Sequence, residues 1–275
     1  MSKNVVFVPN VKGKHWKDKV TSSYDLGSKS WEHWCKKNDC IHIEWKDPVL
    51  DPAKFPIIYQ REWVLDILEH NNIDYDQVLI VDGDTIVNPD CPNFFEETDH
   101  KYSGVVENGC YEWVTRSING WGHHLEFPKE TYPKTWTYFN TGFVIVNKKH
   151  KPFLKIVQDY YINNIDKINY ITKNETYQNL SVVSTGQTIV NFLLNKHNIE
   201  KTILPECYNF NDLFRKNLLH IPNRSWFPDE LQFLQGGWVY HFAAIPDGLK
   251  TLPSGPRHLD YWMKRTYEHF YGEYK

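Results

Sequence analysis

The stretch that most constrains this chain is VLIVDGDTIV, from Val78 to Val87. Val78 to Val81 are apolar without alternation, the pattern of a short strand covered on both faces in a parallel sheet. Asp82 and Asp84 follow at its carboxyl end, separated by Gly83. Ligands of open α/β sheets gather outside the carboxyl ends of the strands, so this placement turns both acids toward a cleft. A pleat of period two puts their side chains on one side, and Gly83 lets a ligand come close to the backbone. Two hard oxygen donors at that spacing suit Mg²⁺ or Mn²⁺, whose other positions are filled by waters and phosphates. The same letters also spell an ordinary Asp-Gly turn with solvated acids, so the rest of the chain has to decide.

Asn4 to Val8 reads as a first strand, stopped by Pro9 and Asn10. Lys12, Lys14 and Lys17 follow in a loop. Ser22 or Ser23 caps a helix to about Lys37, with Leu26, Trp31, Trp34 and Cys35 on its apolar side. Ile41, Ile43 and Trp45 alternate with His42 and Glu44 as a second strand. A helix from about Ile58 to His70 buries Trp63, Val64, Ile67 and Leu68 and carries Arg61 on its polar face. Two strand–helix units ahead of the acid-bearing strand make a right-handed half-domain of the mononucleotide-binding type.

Ser103 to Val106 and Tyr138 to Asn147 predict further strands, the second opening on the polar pair Asn140 and Thr141. Between them, Asn108 to Thr137 is rich in Gly, Trp, His and Pro and reads as a long irregular loop. It carries Arg116, His123 and His124, where acceptor contacts are expected. Helices follow from about Lys151 to Ile168 and after Ser184, Thr185 and Gly186, placing Gln187 in a first turn. Gly236 to Phe242 is a last strand ending in His241, and an amphipathic helix closes the chain over about 258–275. With no linker or repeat in 275 residues, one α/β domain spanning 1–275 is expected. Its central sheet is mixed, mostly parallel and flanked by helices.

A net charge of −3 provides no basic face for nucleic acid. No apolar run has the length of a membrane span. MSKNVVFVPN lacks a signal peptide's apolar stretch, which predicts a cytoplasmic protein. The five cysteines are scattered without zinc spacing and read as reduced thiols.

VDGDTIV, YFNTGFVIVN, TGQTIVNFLL and LPECYNFN, followed by His241 at a strand end, keep one order and set of separations over roughly residues 4–250. In this the chain resembles the GT-A glycosyltransferases, most nearly glycosyltransferase family 8. The resemblance implies a Rossmann-like GT-A fold and transfer of a hexose from a nucleoside-diphosphate sugar to a hydroxyl acceptor such as a glycan. The donor implied is a UDP-sugar, with a GDP-sugar as alternative, and the transfer retains the anomeric configuration. It also implies Mn²⁺ held by Asp82, Asp84 and His241, with Asp82 near the ribose as well. Asn140 then touches the donor sugar and Gln187 lies under its anomeric carbon, as the catalytic pair. Val8, Asn10, Arg61, Gly83 and Lys250 surround the nucleotide and its diphosphate. Two positions depart from the family pattern. Gly186 stands where an acid usually precedes the glutamine, and HFAAIPDGLK has Ala244 in place of a glycine, with Lys250 displaced by three residues.

The chemistry explains why such a set is needed. Charge accumulates on the departing diphosphate, and a divalent ion with donors aimed at the phosphate oxygens stabilises it. Arg61 can pair with the diphosphate or sugar hydroxyls, or alternatively with Asp66 or Glu62. Glu107, Glu112 and Asp212 are the carboxylates available to an inverting mechanism. A sugar nucleotidyltransferase is the less favoured alternative, because Pro9-Asn10 occupies the place of its glycine-rich loop. A non-catalytic carbohydrate- or nucleotide-binding protein is the other, kept open by Gly186.

Overall fold

The computed structural model describes residues 2–11, 21–176, 186–213, 232–243, 245 and 258–272. Lys12, Lys14, Lys17, Ser184, Thr185, Ala244 and Lys250 lie outside the described residues. Six strands form the central sheet in the order β2-β1-β3-β6-β5-β7. They are β1 (Lys3–Pro9), β2 (Ile41–Trp45), β3 (Tyr75–Val81), β5 (Tyr102–Val106), β6 (Phe139–Asn147) and β7 (Lys201–Ile203). β1 runs parallel to β2 and β3, and β5 parallel to β7; β6 alone is reversed against β3 and β5. This is the mixed, mostly parallel α/β sheet expected.

Both faces of the sheet are covered, which is why its strands read as continuous apolar runs. On β3, Val78 and Ile80 enter one core while Leu79 and Val81 enter the other, all at most 2% exposed. Val5 and Phe7 of β1 share the first core, and Val6 and Val8 the second. The first core is closed by α2 (Ile57–Gln60), α3 (Val64–His70), α4 (Tyr111–His124), α5 (Lys151–Ile171) and α6 (Gly186–Lys196). α1 (Thr21–Lys37) closes the second with Trp31 and Trp34, which pack on Phe94. A third cluster joins α1 to α7 (His258–Tyr271) and to a separate two-stranded ribbon, β4 (Thr85–Val87) with β8 (Val239–His241). Among the described residues no helix is long and apolar enough to cross a membrane.

Three expectations need correction. Asn108 to Thr137 is not an irregular loop, because α4 occupies its first half. Val114, Ser117, Ile118, Trp121 and Gly122 form a buried stripe at helical spacing, and Gly122 is there because a Cβ would meet the Tyr132 ring at 2.4 Å. Arg116 lies on this helix in an exposed pair with Glu112, and His123 and His124 sit in its last turn. Next, the helix expected from Ile58 to His70 is interrupted by a 3₁₀ turn, Arg61–Trp63, that turns Arg61 and Glu62 inward. Finally, VLIVDGDTIV is two strands in two sheets, with the acids in the turn between them.

Candidate active site

The carboxyl ends of β1, β3 and β5 and the amino end of the reversed β6 share one edge of the sheet. Asp82 and Asp84 stand at its centre, fixed from three directions. The Asp82 N–H donates to the Gly142 carbonyl at 3.0 Å, extending the β3–β6 ladder by one bond. The Thr85 hydroxyl donates to the Asp82 carbonyl at 2.7 Å and accepts the Trp31 indole N–H at 2.8 Å. The β4–β8 ribbon sets His241 opposite Thr85, and the Phe242 N–H donates to the Asp84 carbonyl at 2.9 Å. A short antiparallel ladder thus closes a long sequence gap. The acids meet through this turn, not through the strand pleat, because β3 ends at Val81.

His241 Nε2 lies 3.4 Å from Asp84 Oδ1 and 3.7 Å from Asp82 Oδ2. One ligand atom from each of the three residues falls within 4.8 Å of the others. His241 is 2% exposed, and its Nε2 is buried without a hydrogen-bond partner. Its Nδ1 lies 3.0 Å from Asn209 Oδ1. An amide oxygen there keeps the neutral ring's proton on Nδ1, so the Nε2 lone pair faces both carboxylates. A buried, unsatisfied nitrogen is costly, and a divalent cation would satisfy it together with the two acids. Two carboxylates and one imidazole are a donor set that suits Mn²⁺ or Mg²⁺, so the residues fit the ion. Gly142 makes the space: a Cβ there would stand 2.3 Å from His241 Cε1 and 2.8 Å from Asp82 Oδ2.

Burial disfavours the His241 imidazolium, yet Asp84 and then Asp82 outweigh it, and its pKa rises above the ordinary imidazole value. In the ion-free protein this contributes stability that is fully present below the unfolded-state pKa and lost as pH rises through the raised one. An ion needs the neutral ring, so proton and metal compete. Apparent Mn²⁺ affinity is therefore expected to fall about tenfold per pH unit below that pKa. Titration calorimetry between neutral and mildly acid pH checks this, and an affinity that stays flat contradicts it.

Arg61 is 9% exposed. Its Nη1 donates to Asp82 Oδ1 at 2.7 Å, its Nη2 donates to the Thr141 hydroxyl, and its Nε stands 3.6 Å from Glu62 Oε1. The guanidinium takes one Asp82 oxygen and leaves the other facing His241. This is a buried network rather than the surface pair expected, and Asp66 accepts from Gln158 Nε2 instead. Burial pushes the Glu62 carboxyl's pKa up against Arg61's opposing pull. Arg61→Ala strands a buried acid and is expected to cost about 3–5 kcal/mol. Denaturant unfolding reads this directly, and a loss below about 1 kcal/mol contradicts the pairing.

Asn140 and Gln187 are brought together, but around a carboxylate to which the sequence gives no role. Glu107 Oε2 accepts from Asn140 Nδ2 at 2.6 Å and from Gln187 Nε2 at 3.2 Å. Its Oε1 accepts from Asn211 Nδ2 at 2.6 Å and from the Gly109 N–H at 3.1 Å. One turn beyond Gln187, the Asn191 amide takes both the N–H and the carbonyl of Phe139. At Gly186, a Cβ would stand 3.1 Å from both the Tyr161 hydroxyl and the Tyr59 ring, so the family's acid has no easy place there.

The expected nucleotide contacts divide. Asn10 ends β1 with its Nδ2 donating to Asp25 Oδ1 at 3.0 Å and Glu44 Oε1 at 2.6 Å. Val8 is fully buried in the α1-side core. Gly83 is packed by protein, since a Cβ on it would stand 3.0 Å from the Pro9 carbonyl and one on Gly27 2.3 Å from its own carbonyl. Gly142, Thr141, Asn209, Asn211 and Glu107 carry no predicted role. The motifs FNTG and LPECYNFN contain four of them, and Glu107 directly follows a strand end on the ligand edge.

No family model and no curated protein sequence matches the chain. Among solved structures it is similar to a glycosyltransferase involved in the glycosylation of the major capsid of PBCV-1. The TM-score is 0.54 at 12% identity, over 95% of this chain and 98% of that one. The chain has a GT-A glycosyltransferase fold. A likeness to the galactosyltransferase LgtC, in complex with donor and acceptor sugar analogs, has a TM-score of 0.47 at 11% identity. It covers 98% of this chain and 96% of that one. At such identities the likeness is one of fold. Within the GT-A fold, the Asp82–Asp84–His241 cluster lies on the strand edge where α/β sheets take their ligands.

Proposed function

We propose that this protein is a metal-dependent glycosyltransferase, built as one domain over 1–275. It moves a hexose from a nucleoside-diphosphate sugar, a UDP-sugar in preference to a GDP-sugar, to a hydroxyl acceptor such as a glycan. The observation that carries this reading is the cluster of Asp82, Asp84 and the orphaned Nε2 of His241 at the ligand edge of a GT-A fold. That the similar solved structure is itself a glycosyltransferase supports it.

A bound divalent cation, Mn²⁺ by preference and Mg²⁺ otherwise, supplies a Lewis acid for the leaving diphosphate. Asp82, Asp84 and His241 hold it, and Arg61 keeps Asp82 ionised and aimed. Asn140 and Gln187 present the second N–H of each amide toward the sugar, and Asn10 sits where the nucleotide begins. Lys250, outside the described residues, belongs to this proposal as a charge for the diphosphate. Retention is favoured because an inverting enzyme needs a carboxylate free to take the acceptor's proton. Glu107, the cleft acid nearest Asn140, already receives four donors.

A thermal-shift screen of UDP-, GDP-, CMP- and dTDP-sugars with and without Mn²⁺, paired with an assay for released diphosphate, tests the reading. A donor that binds raises the melting temperature by mass action. A UDP-sugar is expected to do so in a Mn²⁺-dependent way and to release UDP. Shifts without any release mark a binding protein, and the absence of both overturns the proposal. NMR of the product anomer decides retention.

A further inference from the structure

We infer that Glu107 is the positioning residue that ties the two halves of the metal centre together, an inference that rests on the metal reading proposed above. A carboxylate has about four acceptor sites, and Glu107 fills them with Asn140, Gln187, Asn211 and the Gly109 N–H. Its closeness to the Gly109 backbone is possible because residue 109 has no side chain: a Cβ would stand 3.0 Å from Oε1.

Because a carboxylate only accepts, each amide must face Glu107 with its NH₂ group. The amide oxygens are thereby forced outward. Asn140 Oδ1 accepts the Gly142 N–H at 2.8 Å, and Gln187 Oε1 accepts the Thr141 N–H at 3.1 Å. These bonds set the Asn140–Gly142 backbone, whose last carbonyl receives the Asp82 N–H. On the other side, Asn211 belongs to the segment in which Asn209 faces His241 Nδ1. Phe210, between them, donates its N–H to the Val239 carbonyl at 2.8 Å and accepts the His241 N–H at 3.1 Å. One oxygen of Glu107 therefore orders the segment behind Asp82, and the other orders the segment behind His241. Glutamine cannot do this. Either orientation of its amide sets an NH₂ group against two donors.

The test is Mn²⁺ affinity of the full chain, measured by titration calorimetry without donor or acceptor, with melting temperatures recorded alongside. Partners beyond the ligands themselves are worth about tenfold or more in metal affinity, and E107Q is expected to lose about tenfold. N140D alone sets two carboxylates against each other and weakens binding as well. The double variant E107Q/N140D restores a donor–acceptor pair between positions 107 and 140, and the oxygen of the new amide is left for Asn211 and Gly109. Its affinity is expected to recover to within about threefold of wild type, a coupling that general loss of packing does not produce. Should E107Q fail to fold, E107D answers the same question by keeping the charge but withdrawing it by one methylene. It too is expected to bind about tenfold more weakly. The inference is overturned if E107Q or E107D binds Mn²⁺ as tightly as wild type, or if the double variant is no better than the singles. A wild-type chain that binds no Mn²⁺ overturns the metal reading itself, and this inference with it.

Discussion

Asp84→Ala is expected to abolish Mn²⁺ binding and the Mn²⁺-dependent part of any donor-induced thermal shift, and to reduce turnover on the order of 100- to 1,000-fold. Asp84 Oδ1 is the carboxylate oxygen nearer to His241 Nε2, at 3.4 Å against 3.7 Å for Asp82. Without it the set falls to one acid and one imidazole, and Asp82 is partly engaged by Arg61. The metal-free fold should change little, because two effects oppose each other. Removing Asp84 relieves its repulsion of Asp82, but it also removes the main attraction for the His241 imidazolium. Loss of function with an unaltered metal-free melting temperature is therefore the signature. A variant that binds Mn²⁺ as the wild type does would remove Asp84 from the site.

Gly142→Ala is expected to be the most damaging one-carbon change in the molecule. The added methyl would stand 2.3 Å from His241 Cε1, 2.8 Å from Asp82 Oδ2 and 2.9 Å from Asn140 Oδ1. All three neighbours are themselves held: His241 by the β8 ladder, Asp82 by Arg61, and Asn140 by Glu107. Overpacking of this kind costs about 1–3 kcal/mol. The larger consequence is at the centre itself, since two of the three groups displaced are ligands. Mn²⁺ affinity should fall by at least about tenfold. Calorimetric titration with Mn²⁺ and a thermal melt of the same preparation read the two effects separately. Wild-type values for both would show that the space beside Gly142 is not needed.

Much of this architecture can be read from the letters because β3 is buried on both faces and its apolar run is unbroken up to Asp82. The residues of the centre are legible for the same reason: acids at a strand end and a lone histidine at another strand end are unusual enough to be noticed. What is hidden is how they meet. Nothing local to Thr85–Val87 or Val239–His241 announces that these short segments pair in a ribbon outside the main sheet. α4 escapes detection because Gly120 and Gly122 have low helix propensity, and the packing of Tyr132 against Gly122 outweighs that preference. Arg61 reads as a surface residue while the helix is imagined continuous. The 3₁₀ turn changes its direction and buries it. Glu107 gains its place only through partners far along the chain, Asn140, Gln187 and Asn211, so no short motif contains it.

The most direct measurement is anomalous X-ray scattering from crystals grown with Mn²⁺. An ion bonded at once to an oxygen of Asp82, an oxygen of Asp84 and Nε2 of His241 is the predicted result. Manganese bound elsewhere on the chain, with His241 Nε2 still unliganded, is the result that would contradict it.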